Sequence, residues 1–144
     1  MLFLQAASQP TRAHTSMLAI ADGRVKLILS LALLAEITDV LNRPEYFQKF
    51  PAMTPVAVAA YIRTVSVNAE VYDPVPAAFT LPVHPDDDHL FNLAIHASAE
   101  YLVTWESRLL KLLGSPDPMS IRLKQLAPKL KIITPKELAD LVRQ

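Results

Sequence analysis

Carboxylates dominate the middle of this chain. Between Asn68 and Glu106 there are seven acids, Glu70, Asp73, Asp86, Asp87, Asp88, Glu100 and Glu106, and no lysine or arginine. Side chains of this kind bind hard divalent cations through oxygen, so an ion of the Mg²⁺ type is the chemistry that the composition offers. A single Asp ahead of a helix is explained by capping and by the positive end of the helix dipole. Three in succession, Asp86, Asp87 and Asp88, exceed what a cap uses. With no local cation in the stretch, a bound metal is the expected source of neutralising charge.

Other chemistries find less support. Cysteine is absent, which excludes disulfides and thiolate catalysis and sets an intracellular, cytoplasmic location as the expectation. His84, His89 and His96 could suggest zinc, but they form no HExxH pair and read as ordinary surface or cleft residues, and His14 has no partner nearby. The two glycines, Gly23 and Gly114, cannot build a phosphate-cradling loop. Ser8 and Ser30 lack the strained elbow that would make either a nucleophile.

The acids need elements to bring them together. A helix beginning near Asp87 carries Leu90, Phe91, Leu93, Ala94 and Ala97 on one face, so its acidic end is fixed by an apolar stripe. Ser98 to Glu100 breaks that pattern. Tyr101 to Thr104 is then a β-prone run with Glu106 just beyond its end. Upstream, Ser30 caps a helix over Leu31 to Asn42 whose Leu33, Leu34, Ile37, Val40 and Leu41 share a face. Glu36 lies on the border of that face, where it could look along a cleft, although a solvated helix acid is the plainer account; Asp39 lies opposite and faces solvent.

The remaining chain alternates in the same way. Leu2 to Leu4 reads as the tail of a buried strand, Thr11 to Ala21 as a helix closed by Asp22 and Gly23, and Val25 to Leu29 as a strand. Val56 to Val65 is a helix, Ala69 to Tyr72 is extended, and Asp73 to Pro85, with four prolines, is an irregular connection. Leu109 to Leu113 gives helical turns, Lys131 to Thr134 a last strand, and Thr134-Pro135-Lys136-Glu137 starts a terminal helix. Alternation of this kind predicts an α/β fold with a mainly parallel sheet covered on both faces. Its ligands would sit at the carboxyl ends of the strands, where Leu4-Gln5, Leu29-Ser30 and Thr104 fall.

At 144 residues and 51% hydrophobic composition the chain suffices for one domain with a proper core, spanning 1–144. Fourteen acids balance fourteen bases, so global charge argues for neither nucleic acid nor membrane. From Ser107 to Lys131, however, six bases face Asp117 alone. Arg108, Lys111, Arg122 and Lys124 are therefore candidates for holding a nucleic-acid backbone, against the plainer reading of surface bases as a solubility device. The longest apolar run, Leu27 to Ala35, falls short of the ~20 residues that span a bilayer, and the opening MLFLQAASQ lacks the cationic start of a signal peptide.

Four segments, LLAEITDVLNRP (33–44), PDDDHLFNLA (85–94), YLVT (101–104) and ITPKE (133–137), together resemble the PIN domain family, in register along essentially the whole chain. The nearest branch is that of the PIN-like toxins of prokaryotic toxin–antitoxin pairs. This resemblance implies a three-layer α/β/α sandwich and a metal-dependent endoribonuclease using Mg²⁺ or Mn²⁺, with RNA as substrate and an antitoxin protein and a homodimer as partners. By position it implies Glu36 and Asp87 as metal-holding, catalytic acids, with Asp88 a rival to Asp87 because the local register is ambiguous by one. Members of the branch commonly follow the strand with threonine-glycine-aspartate. Thr104 matches the threonine and is implied to contact RNA, Glu106 replaces the aspartate, and Trp105 stands at the glycine. Family members also begin with a strand ending in aspartate-x-asparagine, whereas the match here begins just after it, at Met1 or Leu2. The expectation is a truncated first strand and impaired chemistry, through a start recorded too late or a natural remnant, with unpaired sheet backbone relieved by dimerisation or strand exchange. The rival from another class is a catalytically silent PIN-like module that binds RNA or a protein.

Overall fold

The computed structural model describes residues 19–51 and 54–144. The expected strand at Leu2 to Leu4, including Leu4-Gln5, and most of the expected helix from Thr11 lie outside the described residues. Residues 19–21 are helical and close at a turn where Gly23 takes φ +77° and its N–H donates to the Ile20 carbonyl. A Cβ is disfavoured at that backbone angle, which is why glycine stands there.

The described elements run β1 (Leu27–Ser30), α1 (Leu31–Leu41), α2 (Pro44–Lys49), α3 (Pro55–Val67), β2 (Ala69–Tyr72), a 3₁₀ turn (Pro85–Asp87) and α4 (Asp88–His96). After these come β3 (Tyr101–Val103), α5 (Ser107–Leu110), a second 3₁₀ turn (Leu112–Gly114), α6 (Pro118–Leu126), β4 (Lys131–Ile133) and α7 (Pro135–Val142). Local chemistry sets several of these boundaries. The Ser30 hydroxyl accepts from the Leu33 N–H at 3.0 Å and starts α1 without a linker. At α7, Thr134 and Glu137 form a reciprocal capping box with Pro135 at the first turn. At the end of α4 the N–H of Ala99 reaches the Ala94 carbonyl at 2.9 Å, and Ser98 takes a positive φ of 51° to allow it.

All the described strands pair in parallel. β1 pairs with β2, Leu27 opposite Ala69 through Ser30 opposite Tyr72, and β3 pairs with β4, Tyr101 opposite Lys131 through Val103 opposite Ile133. The expectation of one central sheet is thus met only in its parts, because the described strands form two separate two-stranded sheets. The mixed α/β character and the parallel sense stand.

Apolar packing is divided in the same way. Leu29, Ile37, Leu41, Tyr46, Val58 and Val65 form one buried cluster, around β1 and helices α1 to α3. Phe79, Leu81, Phe91, Ala94, Leu109, Leu112, Leu123 and Leu130 form the other, with Leu102 and Ile132 of the second sheet packed against it. Burying side chains of this size contributes roughly 1.5–3 kcal/mol each. The helix α4 stripe behaves as its spacing predicts, with Phe91 fully buried and Leu93 and Ala94 nearly so. Among the described residues no helix is long and apolar enough to cross a membrane.

Candidate functional site

The proline-rich connection 73–85 has no regular structure of its own, so its backbone polar groups need partners elsewhere. Two side chains one turn apart on α4 supply them. Asn92, 7% exposed, accepts from the N–H groups of Ala78 and Phe79, both at 2.8 Å, and donates to the Phe79 carbonyl at 3.0 Å. Asp88 Oδ1 accepts from the Leu81 N–H at 2.6 Å. The connection is thereby laid along α4 and held there.

Pinning it there leaves a cleft of about 420 Å³ between the connection, the start of α1 and the start of α4. Ser30 and Tyr72, the last residues of β1 and β2, form part of its lining. The cleft therefore lies at the carboxyl ends of a parallel pair, where ligands of such folds are held. Asp88 and His89 also line it.

Glu36 meets this region through His89. Its Oε2 lies 3.1 Å from His89 Nε2, while His89 Nδ1 is buried with no hydrogen-bond partner among the described residues. Glu106 meets it from the other side. Arg108 Nη2 donates to Glu106 Oε1 at 2.8 Å, and Arg108 Nη1 lies 3.2 and 3.1 Å from the two ring nitrogens of His84. Asp87 lies between these contacts, in the 3₁₀ turn, half-buried and making no capping bond to α4. Glu36 and Arg108 thus contact the two ends of the segment His84 to His89, within which Asp87 lies, and Glu106 is tied to that segment only through Arg108.

Contact is not coordination. Among the described residues no group of three or more histidine, aspartate or glutamate side chains is placed to hold a metal ion. The expectation that no local cation neutralises the acidic stretch needs correction. Cations come from outside it: Arg108, two residues on, pairs with Glu106, and Lys26, far upstream, pairs with Glu70. Distance along the sequence hid the Lys26 pair, and the Arg108 pair lies two residues past Glu106.

The other expected contacts are placed as follows. The Thr104 N–H donates to the Ile133 carbonyl at 2.9 Å, and its hydroxyl accepts from the Glu106 N–H at 3.1 Å, so Thr104 shapes the turn that presents Glu106. Lys111, Arg122 and Lys124 are exposed, with Arg122 and Lys124 two apart on α6 and hence on different faces of that helix. Of the four candidate bases only Arg108 is tied to the acids. Asp39 faces solvent and pairs with Arg43 at 2.9 Å. Asn92, which shapes the cleft wall, carries no sequence signal that marks it out.

The family model for the PIN domain matches residues 2–108. No curated protein and no solved structure gives a match.

Proposed function

Because the chain belongs to the PIN domain family, we propose that it is a nuclease-type domain acting on RNA, with its reaction centre on the His84–His89 segment. The observation that carries this reading is that Glu36 contacts His89 at one end of the segment that holds Asp87, while Arg108 ties Glu106 to His84 at the other. In this reading the two strand pairs are halves of one central sheet in a three-layer α/β/α sandwich.

PIN domains generally use divalent metal ions, and Mg²⁺ or Mn²⁺ is the ion this reading expects. As they stand, the described residues do not fit one. Glu36 is engaged by His89, Glu106 by Arg108, and one oxygen of Asp88 by the Leu81 amide. The chain's own groups place Arg108 against the imidazole of His84, three residues from Asp87, and a guanidinium there can hold an RNA phosphate by paired hydrogen bonds. Cleavage in this arrangement is slow, since Glu36 and Glu106 are already held by His89 and Arg108.

The test is cleavage of end-labelled single-stranded RNA with Mg²⁺ or Mn²⁺, beside calorimetric titration of each ion. Slow cleavage abolished by Asp87→Asn, with weak ion uptake, is the expected result. Tight stoichiometric uptake that survives Asp87→Ala would sink the site assignment. A toxin role, with an antitoxin and a homodimeric state, belongs to the same proposal and is tested by growth arrest on expression and by sedimentation.

The same ion pairs favour a second reading, a catalytically silent PIN-like module that binds RNA or a protein. RNA binding with no cleavage at any Mn²⁺ concentration, unchanged by Asp87→Asn, would select it.

A further inference from the structure

Asn92 is 7% exposed and commits three hydrogen bonds to two residues of the proline-rich connection, Ala78 and Phe79, which nearly exhausts what a carboxamide can make. A second tie follows two residues on, where the Leu81 N–H meets Asp88 and the Leu81 side chain, 1% exposed, sits in the core. From there the chain runs through exposed Pro82 and Val83 to His84, whose N–H donates to the Leu81 carbonyl at 3.0 Å. His84 in turn bears Arg108 Nη1, at 3.2 and 3.1 Å from its ring nitrogens, and Arg108 holds Glu106. A connected path of contacts therefore leads from a buried amide on α4 to the guanidinium. Asp87 touches the path, its N–H donating to the His84 carbonyl at 3.1 Å, but it directly precedes α4, a helix fixed by buried Phe91, Leu93 and Ala94.

We propose that Asn92 is a positioning residue for substrate binding: by fixing residues 78–81 on α4 it sets the place of His84, and through His84 the direction of the Arg108 guanidinium. The inference rests on the reading of Arg108 as a phosphate-holding group given above, and adds to it the residue that aims that group. Arg108 stands exposed on α5, a helix of four residues, so its own element does little to fix a long side chain. A flexible cation loses rotamer freedom when it grips a phosphate, and holding it beforehand removes part of that cost. The imidazole of His84 supplies the hold, which is only as firm as the segment carrying it. Loosening that segment weakens the grip on RNA while Glu36 and Asp87 stay in place.

The experiment measures cleavage of end-labelled single-stranded RNA by the full chain, with KM and kcat separated, beside RNA affinity by filter binding and the Arg108 Nε ¹H–¹⁵N resonance. Asn92→Ala should move that resonance and raise KM and the RNA dissociation constant about three- to tenfold, the order of one weakened charge-assisted hydrogen bond. Its kcat, corrected for the folded fraction, should stay close to the wild-type value. Asn92→Asp, which keeps the oxygen that both N–H groups use, should recover most of the affinity. Because Asn92→Ala also removes buried bonds, Val83→Gly repeats the test away from the core: Val83 is 74% exposed, and glycine there frees the link between Leu81 and His84. In an Arg108→Ala background neither change should weaken binding further. Additive losses in that background, or a fall in kcat with KM and the resonance unmoved, would leave Asn92 a structural residue and overturn the proposal. A wild-type chain that neither cleaves nor binds RNA removes the nuclease reading alone. The Arg108 resonance then still decides, and its failure to move in both Asn92→Ala and Val83→Gly overturns the positioning role.

Discussion

Nε2 of His89 lies 3.1 Å from Oε2 of Glu36, so the helix that follows β1 is joined to the helix that leads into β3. Neither side chain is deeply buried, at 32% and 57% exposed, which keeps the pair's contribution to stability small. A double-mutant cycle with Glu36→Gln and His89→Gln, read by urea denaturation, should give a coupling below about 1 kcal/mol. The contact matters more for where it holds the Glu36 carboxylate than for what it adds to folding.

Arg108 occupies Glu106 from outside the acidic stretch. Arg108→Ala should therefore strengthen Mn²⁺ uptake several-fold by releasing that carboxylate, and should weaken RNA binding by removing a phosphate contact. Calorimetry with Mn²⁺ and a filter-binding assay with RNA read the two effects separately. Weaker Mn²⁺ binding in the variant would show that Glu106 plays no part in holding a cation.

Adjacent aspartates are expected to behave differently. Asp88 carries the Leu81 amide and Asn92 carries three backbone groups of the connection, so Asp88→Ala and Asn92→Ala each should cost about 1–3 kcal/mol in urea denaturation. Asp87→Asn should leave the urea midpoint almost unmoved and abolish cleavage. A large stability loss at Asp87 with none at Asp88 would reverse the assignment.

The capping box of α7 gives a pH dependence whose sign is fixed. Hydrogen bonds from the Thr134 N–H and then from its hydroxyl hold the Glu137 carboxyl below the usual carboxylate range. Its contribution is complete above the unfolded-state value, about 4.3, and is lost as pH falls through the lower folded-state value. The stability difference between the wild type and Glu137→Ala should be constant from neutrality to about pH 5 and shrink in more acidic solution. Thermal melts across that range provide the check, and a difference that grows on acidification would contradict it.

Capping chemistry was the most legible part of the fold. Ser30, Gly23 and the Thr134-Pro135-Glu137 signal each act within four residues, so the sequence places them directly. Helix α2, six residues long, is too short to show a period. Helix α6 had a usable signal, Pro118 at its first turn with Met119, Leu123 and Leu126 on one face, overshadowed by its run of bases. The spread of acids along the chain points to one segment, and two contacts reach its ends, Glu36 on His89 and Arg108, itself paired with Glu106, on His84. Their partners did not show, because Lys26 with Glu70 and His89 with Glu36 are pairs that only folding brings together.

The apolar mass of the described residues lies in two parcels, one around Leu29 and Val58 and one around Phe91 and Leu123, and the cleft is lined by Phe79 of the second and by Ser30 and Leu31, which follow Leu29 of the first. Each parcel can loosen on its own, so slow amide exchange should reveal two levels of protection rather than one. A molecule bridging the seam would then act as a rivet. It would stiffen the weaker parcel by mass action, making occupancy visible in the exchange rates of amides far from any contact with it.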